Sequence, residues 1–261
     1  MNRSVSRRQM LRGAAGIGLG GFAIGRHAAT AQNATPAALP ASDSSLGFVS
    51  LRVRQLADAS FLTEVNDIVT AEFVPDVQAL PGYGGYILGD VIDDDTRSLS
   101  VVVLEEAAQA EGFADLALTF VGGLDPEYAV ETPTAVEGKL LITAAGDAAE
   151  ATPVSDPGAN RFIAVRIYIS LPGTDPRDFV PLAIEGFVPI VTGIPGFQGY
   201  FLSLSDGGFT SINIFDSEES ALESTAAGTE WAAENLTAFT EGEPHAITAM
   251  GIFVELPLLA G

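Results

Sequence analysis

The chain has 261 residues, 47% hydrophobic and 18% charged, enough for one large or two small globular cores. It contains no cysteine, which excludes disulfides, thiolate metal sites, iron–sulfur ligation by cysteine, a cysteine nucleophile and a lipid-attachment cysteine. Thirty-four acidic residues against 12 basic ones give a formal charge of −22, a surface that repels phosphate backbones, so nucleic acid is not an expected partner.

Residues 1–31 read as an address. Ser6-Arg7-Arg8-Gln9-Met10-Leu11-Arg12 resembles the twin-arginine export motif. A modestly apolar Gly/Ala-rich stretch follows, and Ala29-Thr30-Ala31 supplies a small-x-small cleavage pattern, placing the mature start near Gln32. The expected location is therefore extracytoplasmic, in the periplasm or secreted. Beyond this segment no strongly apolar run is long enough for a stable membrane span. Five of the 12 basic residues lie before residue 32 and no acidic one does, so the mature chain is more acidic still. Two readings of that acidity stand: solubility outside the cell, or adaptation to high salt, which screens self-repulsion. Residues 32–46, rich in Ala, Pro, Ser and Thr, read as a flexible linker.

From residue 47 the chain repeats itself. Phe48-Val49-Ser50-Leu51-Arg52-Val53 matches Phe162-Ile163-Ala164-Val165-Arg166-Ile167. At the same offset Phe73-Val74-Pro75 matches Phe187-Val188-Pro189, and Pro81-Gly82-Tyr83-Gly84-Gly85-Tyr86 matches Pro195-Gly196-Phe197-Gln198-Gly199-Tyr200. A one-residue gap then places Ser98–Val102 on Ser211–Phe215, and Leu118 where Trp231 sits. The boundaries expected are repeat 1 at 47–143, a linker at 144–160 and repeat 2 at 161–257.

Each copy has the same order of elements. Strands are expected at 48–54 and 162–169, then a helix, opened in copy 2 by Asp175-Pro176 and carrying a late proline (Pro75, Pro189) that suggests a shared kink or early end. A Pro-Gly-aromatic turn leads into a strand pair, 84–90 with 97–104 and 198–205 with 208–215, the second joined by Asp206-Gly207-Gly208. Asp93-Asp94-Asp95 reads as a solvated hairpin tip. The last helix of copy 2 is expected to start at Asp216 with Glu219 as its capping partner, and to face the core with Leu222, Thr225, Thr229, Ala232 and Leu236. Final strands close the copies at 136–143 and 246–256. The order β-α-β-β-α-β predicts an α+β fold of tandem ferredoxin-like units.

Pro195-Gly196-Phe197-Gln198-Gly199-Tyr200, with Ser211–Ala221 and Trp231–Leu236, resembles the antibiotic-biosynthesis-monooxygenase-like group of the dimeric α+β-barrel superfamily; copy 1 matches less well. The resemblance implies that two ferredoxin-like units join sheet to sheet into one barrel, here within a single chain, so the protein is expected to be a monomeric pseudo-dimer. The group includes cofactor-free monooxygenases, haem-degrading enzymes and uncharacterised proteins, so the fold names no activity.

Alternation along the first strands puts Val49, Leu51 and Val53, with Ile163, Val165 and Ile167, on a face suited to helices. The other face, carrying Arg52, Arg54, Arg166 and Tyr168, is then expected inside the barrel, with Ser100 and Asn213 from the third strands. The candidate pocket is Arg52, Arg166, Tyr86, Tyr200, Ser100, Asn213, Trp231 and His245. For each Arg two readings stand: contact with a small anionic or quinone-like ligand, or pairing that closes the barrel. Tyr86 and Tyr200 read either as core packing or as catalytic phenols; Trp231 covers the seam or lines a pocket mouth. His245, the one histidine past the signal, is either an exposed strand end or a general acid–base. No catalytic residue is assigned, and neither a transition-metal site nor a cofactor is expected. The function expected is small-molecule binding or a structural pseudo-dimer. The alternatives are a cofactor-independent monooxygenase acting on an aromatic or quinone-like substrate and, more weakly, haem capture at His245.

Overall fold

The computed structural model describes residues 46–128, 134–146 and 160–259. The export motif, the cleavage pattern, the linker at 32–45 and most of the linker between copies lie outside the described residues. None of the described helices is long and apolar enough to cross a membrane.

The alternating segments form eight strands: β1 (Gly47–Gln55), β2 (Tyr83–Val91), β3 (Arg97–Leu104), β4 (Thr134–Ala145), β5 (Phe162–Ile169), β6 (Phe197–Ser205), β7 (Gly208–Phe215) and β8 (His245–Glu255). They close into an antiparallel barrel in the order β1-β3-β2-β8-β5-β7-β6-β4. Within it each copy keeps the ferredoxin-like strand order, and the copies meet at two seams, β2 with β8 and β4 with β6. Both copies lie in one chain, so the barrel is intramolecular. No sheet edge is left unpaired, which removes the commonest route to edge-to-edge aggregation. At one seam the Tyr83 hydroxyl of copy 1 donates to Glu255 of copy 2 at 2.9 Å, and Gln78 Nε2 donates to the same carboxylate.

The two faces of the sheet are assigned the opposite way from the expectation. Val49, Leu51, Val101 and Val103 of copy 1 pack with Ile163, Val165, Ile212 and Ile214 of copy 2 in a core built mainly from strands inside the barrel, with Leu256 and Leu259 from the C-terminal segment added to it. The face with Arg52, Arg54 and Ser100, and that with Arg166, Tyr200 and Asn213, lies beneath the helices. Alternation separates two faces without saying which is which when both are buried. The aliphatic face fills the closed interior because nothing there could satisfy a cation, whereas helix carbonyls and a path to solvent exist on the helix side.

Four helices cover the outside: α1 (59–78), α2 (Ala110–Gly123), α3 (176–192) and α4 (Glu218–Asn235). Helices α1 and α3 start with 3-10 turns capped by Asp58 and Asp175, whose carboxylates accept from Ser60 N–H and Arg177 N–H. Each widens to a π turn, Val69–Phe73 and Ala183–Phe187, immediately before its late proline. The π turn takes the Val74 N–H to Val69 O, so the helix carries Pro75 without the clash that proline makes with an α-helical carbonyl four residues back. The shared proline thus marks a π bulge followed by a further short α segment. After it, Gly82 and Gly196 turn the chain with φ of 67° and 73°. A Cβ there would run into Gln109 and Asp216 respectively, so glycine is required twice over.

Helix α4 corrects two further expectations. Its N-cap is Ser217, whose hydroxyl accepts from Ser220 N–H at 3.3 Å, and not Asp216, which lies against the Gly196 turn; the expected Asp216/Glu219 box does not form. Its buried stripe is Ala221, Ser224, Gly228 and Ala232, continued by Leu236 at its C-cap; of the expected stripe Ala232 and Leu236 are buried, Thr225 and Thr229 are half-buried, and Leu222 is 48% exposed. Small residues take the place expected of Leu222, Thr225 and Thr229 because the helix must lie close over Arg166: a Cβ at Gly228 would stand 2.7 Å from the Arg166 Cζ. Gly228→Ala should therefore destabilise the protein by about 1–3 kcal/mol despite the better helix propensity of alanine. Gly112→Ala in α2, where a Cβ meets nothing within 4 Å, should stabilise it by up to about 1 kcal/mol. Urea unfolding of the two variants beside the parent checks the opposite signs.

Candidate functional site

In each copy a cavity lies between the sheet and its helices. The cavity of copy 1 is built on β1, β3, α1 and α2, and is lined by Arg52, Arg54, Ser100, Phe73, Phe113 and Phe120, with Ala117 and Val121 at the helix wall. Strand alternation places Arg52 and Arg54 on one face, and register puts Ser100 directly opposite Arg52 and Ser98 opposite Arg54. Phe73 comes from the end of the π turn and packs tilted on Phe120 at 4.8 Å, with Tyr86 edge-on at 6.0 Å. The free space is about 20 Å³, room for a single water.

The two arginines behave differently. Arg52, with its side chain 18% exposed, lies 4.8 Å over the Phe113 ring and pairs with Glu137 at 3.5 Å. Its Nε donates to Ser50 Oγ at 3.4 Å, and that hydroxyl donates to Glu137 at 3.0 Å. Arg54 was not among the candidate pocket residues. Its Nε and Nη1 are sealed from solvent and make no hydrogen bond. Burial lowers its pKa from the ordinary arginine value; Tyr86 partly offsets this and Arg52 adds to it. The Tyr86 hydroxyl is likewise buried without a well-formed hydrogen bond; burial raises its pKa, against the opposing pull of Arg54, Ser100 and Arg52. The signal that could have found Arg54 is its position two residues from Arg52 on the same strand face.

In copy 2, Tyr168, Tyr200, Ser211, Phe187 and Trp231 line a cavity of about 10 Å³. Trp231 lines the pocket and packs on Phe187 at 5.5 Å. Arg166 is fully buried, 5.0 Å over the Phe187 ring, with Nη1 donating to Ser224 O at 2.8 Å. Asn213 is fully buried opposite Tyr200, with Nδ2 donating to Ala164 O at 3.4 Å and Oδ1 unpartnered.

The eight candidates therefore divide. Arg52, Tyr86 and Ser100 gather in copy 1, and Arg166, Tyr200, Asn213 and Trp231 in copy 2. The aliphatic barrel interior separates the groups, so the expected meeting of Arg52 and Arg166 inside the barrel does not occur. His245, exposed at the start of β8 opposite Ile167, joins neither cavity. Among the described residues no group of three or more His, Asp or Glu could hold a metal ion.

The equivalence of the copies also shifts. The hairpin connection covers residues 92–96 in copy 1 and Asp206-Gly207 in copy 2, so copy 2 is shorter by three residues, not one. Ser100 then matches Ser211, each opposite the first arginine of its strand, and Asn213 matches Val102. The error was two residues, which keeps every side chain on its face and so escapes a test by alternation. Carried through the helix caps Glu106 and Ser217, the same shift sets Phe120 where Trp231 sits, in place of Leu118, and Phe113 where Ser224 sits.

No protein-family model matches the sequence, and no curated protein matches it. Solved structures do share its shape. A putative monooxygenase from Fusobacterium nucleatum superposes with a TM-score of 0.59 at 12% identity, covering 81% of this chain and 95% of that one. One from Lactobacillus acidophilus superposes at 0.57 and 9% identity, covering 81% and 97%. An anthrone oxidase-like protein superposes at 0.56 and 16% identity, covering 82% and 94%. At these identities the likeness is one of fold, and it extends over both copies. The chain is a closed α+β barrel of two tandem ferredoxin-like units, a fold it shares with these solved structures.

Proposed function

We propose that the protein binds a small aromatic or quinone-like anion in the cavity of copy 1, with copy 2 as the partner that closes the barrel, and that it does so outside the cytoplasm as a monomeric pseudo-dimer. The observation that carries this reading is Arg54, whose sealed Nε and Nη1 have no hydrogen bond in a cavity walled by Phe73, Phe113 and Phe120. Burying a cation without a partner costs several kcal/mol, and replacing such a group by an apolar one is often stabilising. A negatively charged oxygen on a flat ligand would take both donors while its ring lies among the three phenyl groups. Because the free space holds about one water, entry requires Phe113 and Phe120 to swing outward with α2.

A second reading is cofactor-independent oxygenation in the same cavity, favoured by the fold shared with proteins named as monooxygenases. There the ionised substrate would supply the electrons to dioxygen and Arg54 would hold its developing negative charge. No carboxylate or imidazole lines that cavity among the described residues, so the substrate would have to ionise without a protein base. The tyrosines do not fill that role: all five hold their protons above the ordinary phenol value, Tyr86 and Tyr200 chiefly by burial, Tyr128 chiefly through its hydrogen bond to Glu64.

Two experiments test these statements. Titration with 2-hydroxy-1,4-naphthoquinone, an acidic quinone, should give saturable binding that weakens about 10- to 100-fold in Arg54→Met and is unchanged in His245→Ala. The Arg54→Met protein should be as stable as the parent or more so, by up to about 4 kcal/mol. Equal affinity in parent and Arg54→Met would remove the assignment, and oxygen uptake with the reduced quinol, lost in the same variant, would favour the second reading. Separately, phenolate absorbance should stay low in the folded protein as the pH passes about 10, the value of unfolded tyrosine. A folded-state pKa above the unfolded one means stability fully present below pH ~10 and lost as pH rises further. Phenolate absorbance should therefore appear together with loss of the fold.

A further inference from the structure

We infer that copy 2 contains a second, separate binding site: a small pocket for one water-sized monoanion, chloride in chemical type, held by the buried donors of Arg166 and Ser211. This stands on copy 2 alone and does not depend on ligand binding in copy 1.

Arg166 is 0% exposed, and only its Nη1 is used, donating to the Ser224 carbonyl at 2.8 Å with Ser224 Oγ at 3.4 Å. Its Nε and Nη2 are sealed and form no hydrogen bond. Ser211 lies directly across from it on β7, and its Oγ is also sealed and unpartnered. Three unmet donors therefore converge from two neighbouring strands. The groups that act on the Arg166 charge are the Tyr168 and Tyr200 phenols, Tyr168 also as a neighbour near hydrogen-bonding range that forms no well-aligned bond; no carboxylate is among them, in a chain with 34 acidic residues. The elements packed around it supply a phenyl face from α3 (Phe187) and the Ser224/Gly228 backbone from α4, again without charge. A buried guanidinium kept from all carboxylates takes its counter-charge from outside.

Size selects the ion. The adjoining cavity, to which Ser211 and Tyr168 contribute hydroxyls among aromatic walls that include Phe187 and Trp231, offers about 10 Å³, the room of one small ion or water. The equivalent residue of copy 1, Arg52, is already paired with Glu137 and has no such need. Gly228 is part of the same device: a Cβ there would meet the guanidinium and displace it from Ser211.

The test uses the full mature chain dialysed into sodium gluconate and titrated with sodium bromide at constant ionic strength. Bromide should raise Tm saturably by about 3–5 °C. That rise should vanish in Arg166→Met and in Ser211→Val, and persist in Arg54→Met. Crystals grown in bromide should show an anomalous peak between Arg166 Nε/Nη2 and Ser211 Oγ. If Arg166→Met does not fold, Ser211→Val and the crystal decide alone. A bromide effect that persists in Ser211→Val, or is lost in Arg54→Met, would overturn the proposal. So would an anomalous peak in copy 1 only, or no bromide effect at all.

Discussion

The structure depends on one contact: the helix-free faces of two sheets pressed together inside a closed barrel. A ferredoxin-like unit covers one face of its sheet with helices and leaves the other bare. Here Val49, Leu51, Val101 and Val103 meet Ile163, Val165, Ile212 and Ile214, and full burial of each such side chain contributes about 1.5–3 kcal/mol. Because the copies are covalently linked, neither pays the entropy of finding a free partner. The seams enforce the closure further, since a bulge at Leu140/Ile142 turns the end of β4 so that Ile142 and Ala144 pack with the helical layer of copy 2.

That contact decides where chemistry can sit. A barrel interior filled with aliphatic side chains has no room for a cation, so the polar side chains of both strand pairs are driven to the helix side. There each copy solves the problem of its arginines differently. In copy 1, Phe113 occupies the helix position over Arg52, which turns to Glu137 and solvent and leaves the half-buried Arg54 with two sealed, unmet donors. In copy 2 the same helix position is Ser224; the smaller side chain and Gly228 let α4 settle over Arg166 and accept one of its donors. Duplication thus produced two copies of one fold with two distinct electrostatic interiors.

Neither arginine arrangement is what stability alone would select. A sealed guanidinium with unmet donors is a site where local rules are broken while the surrounding packing, seams and caps all agree, the pattern expected where function is carried. The two cavities also differ in wall chemistry. Both are walled by aromatic rings, but copy 1 turns Arg52, Arg54 and Ser100 onto its cavity, whereas copy 2 lines its own with the Tyr168, Tyr200 and Ser211 hydroxyls among Phe179, Phe187, Phe209 and Trp231.

By itself the sequence determined the element order, the duplication and the two-sided strands, because these follow from periodicity and from the repeat, both of which are local; the barrel was expected only through the resemblance. It also marked Arg52, Tyr86, Ser100, Arg166, Tyr200 and Trp231 as residues near a cavity. Only the tertiary structure decided which strand face lies inside, since alternation has the same period whichever way the sheet is turned. The same blindness hid the two-residue slip that pairs Ser100 with Ser211, because a shift by an even number of residues leaves every side chain on its own face. The core face of α4 and the unmet donors of Arg54 and Arg166 were invisible for a different reason. They depend on how closely a helix approaches a sheet and on which carboxylates end up within reach, and both are properties of packing between segments far apart in the chain.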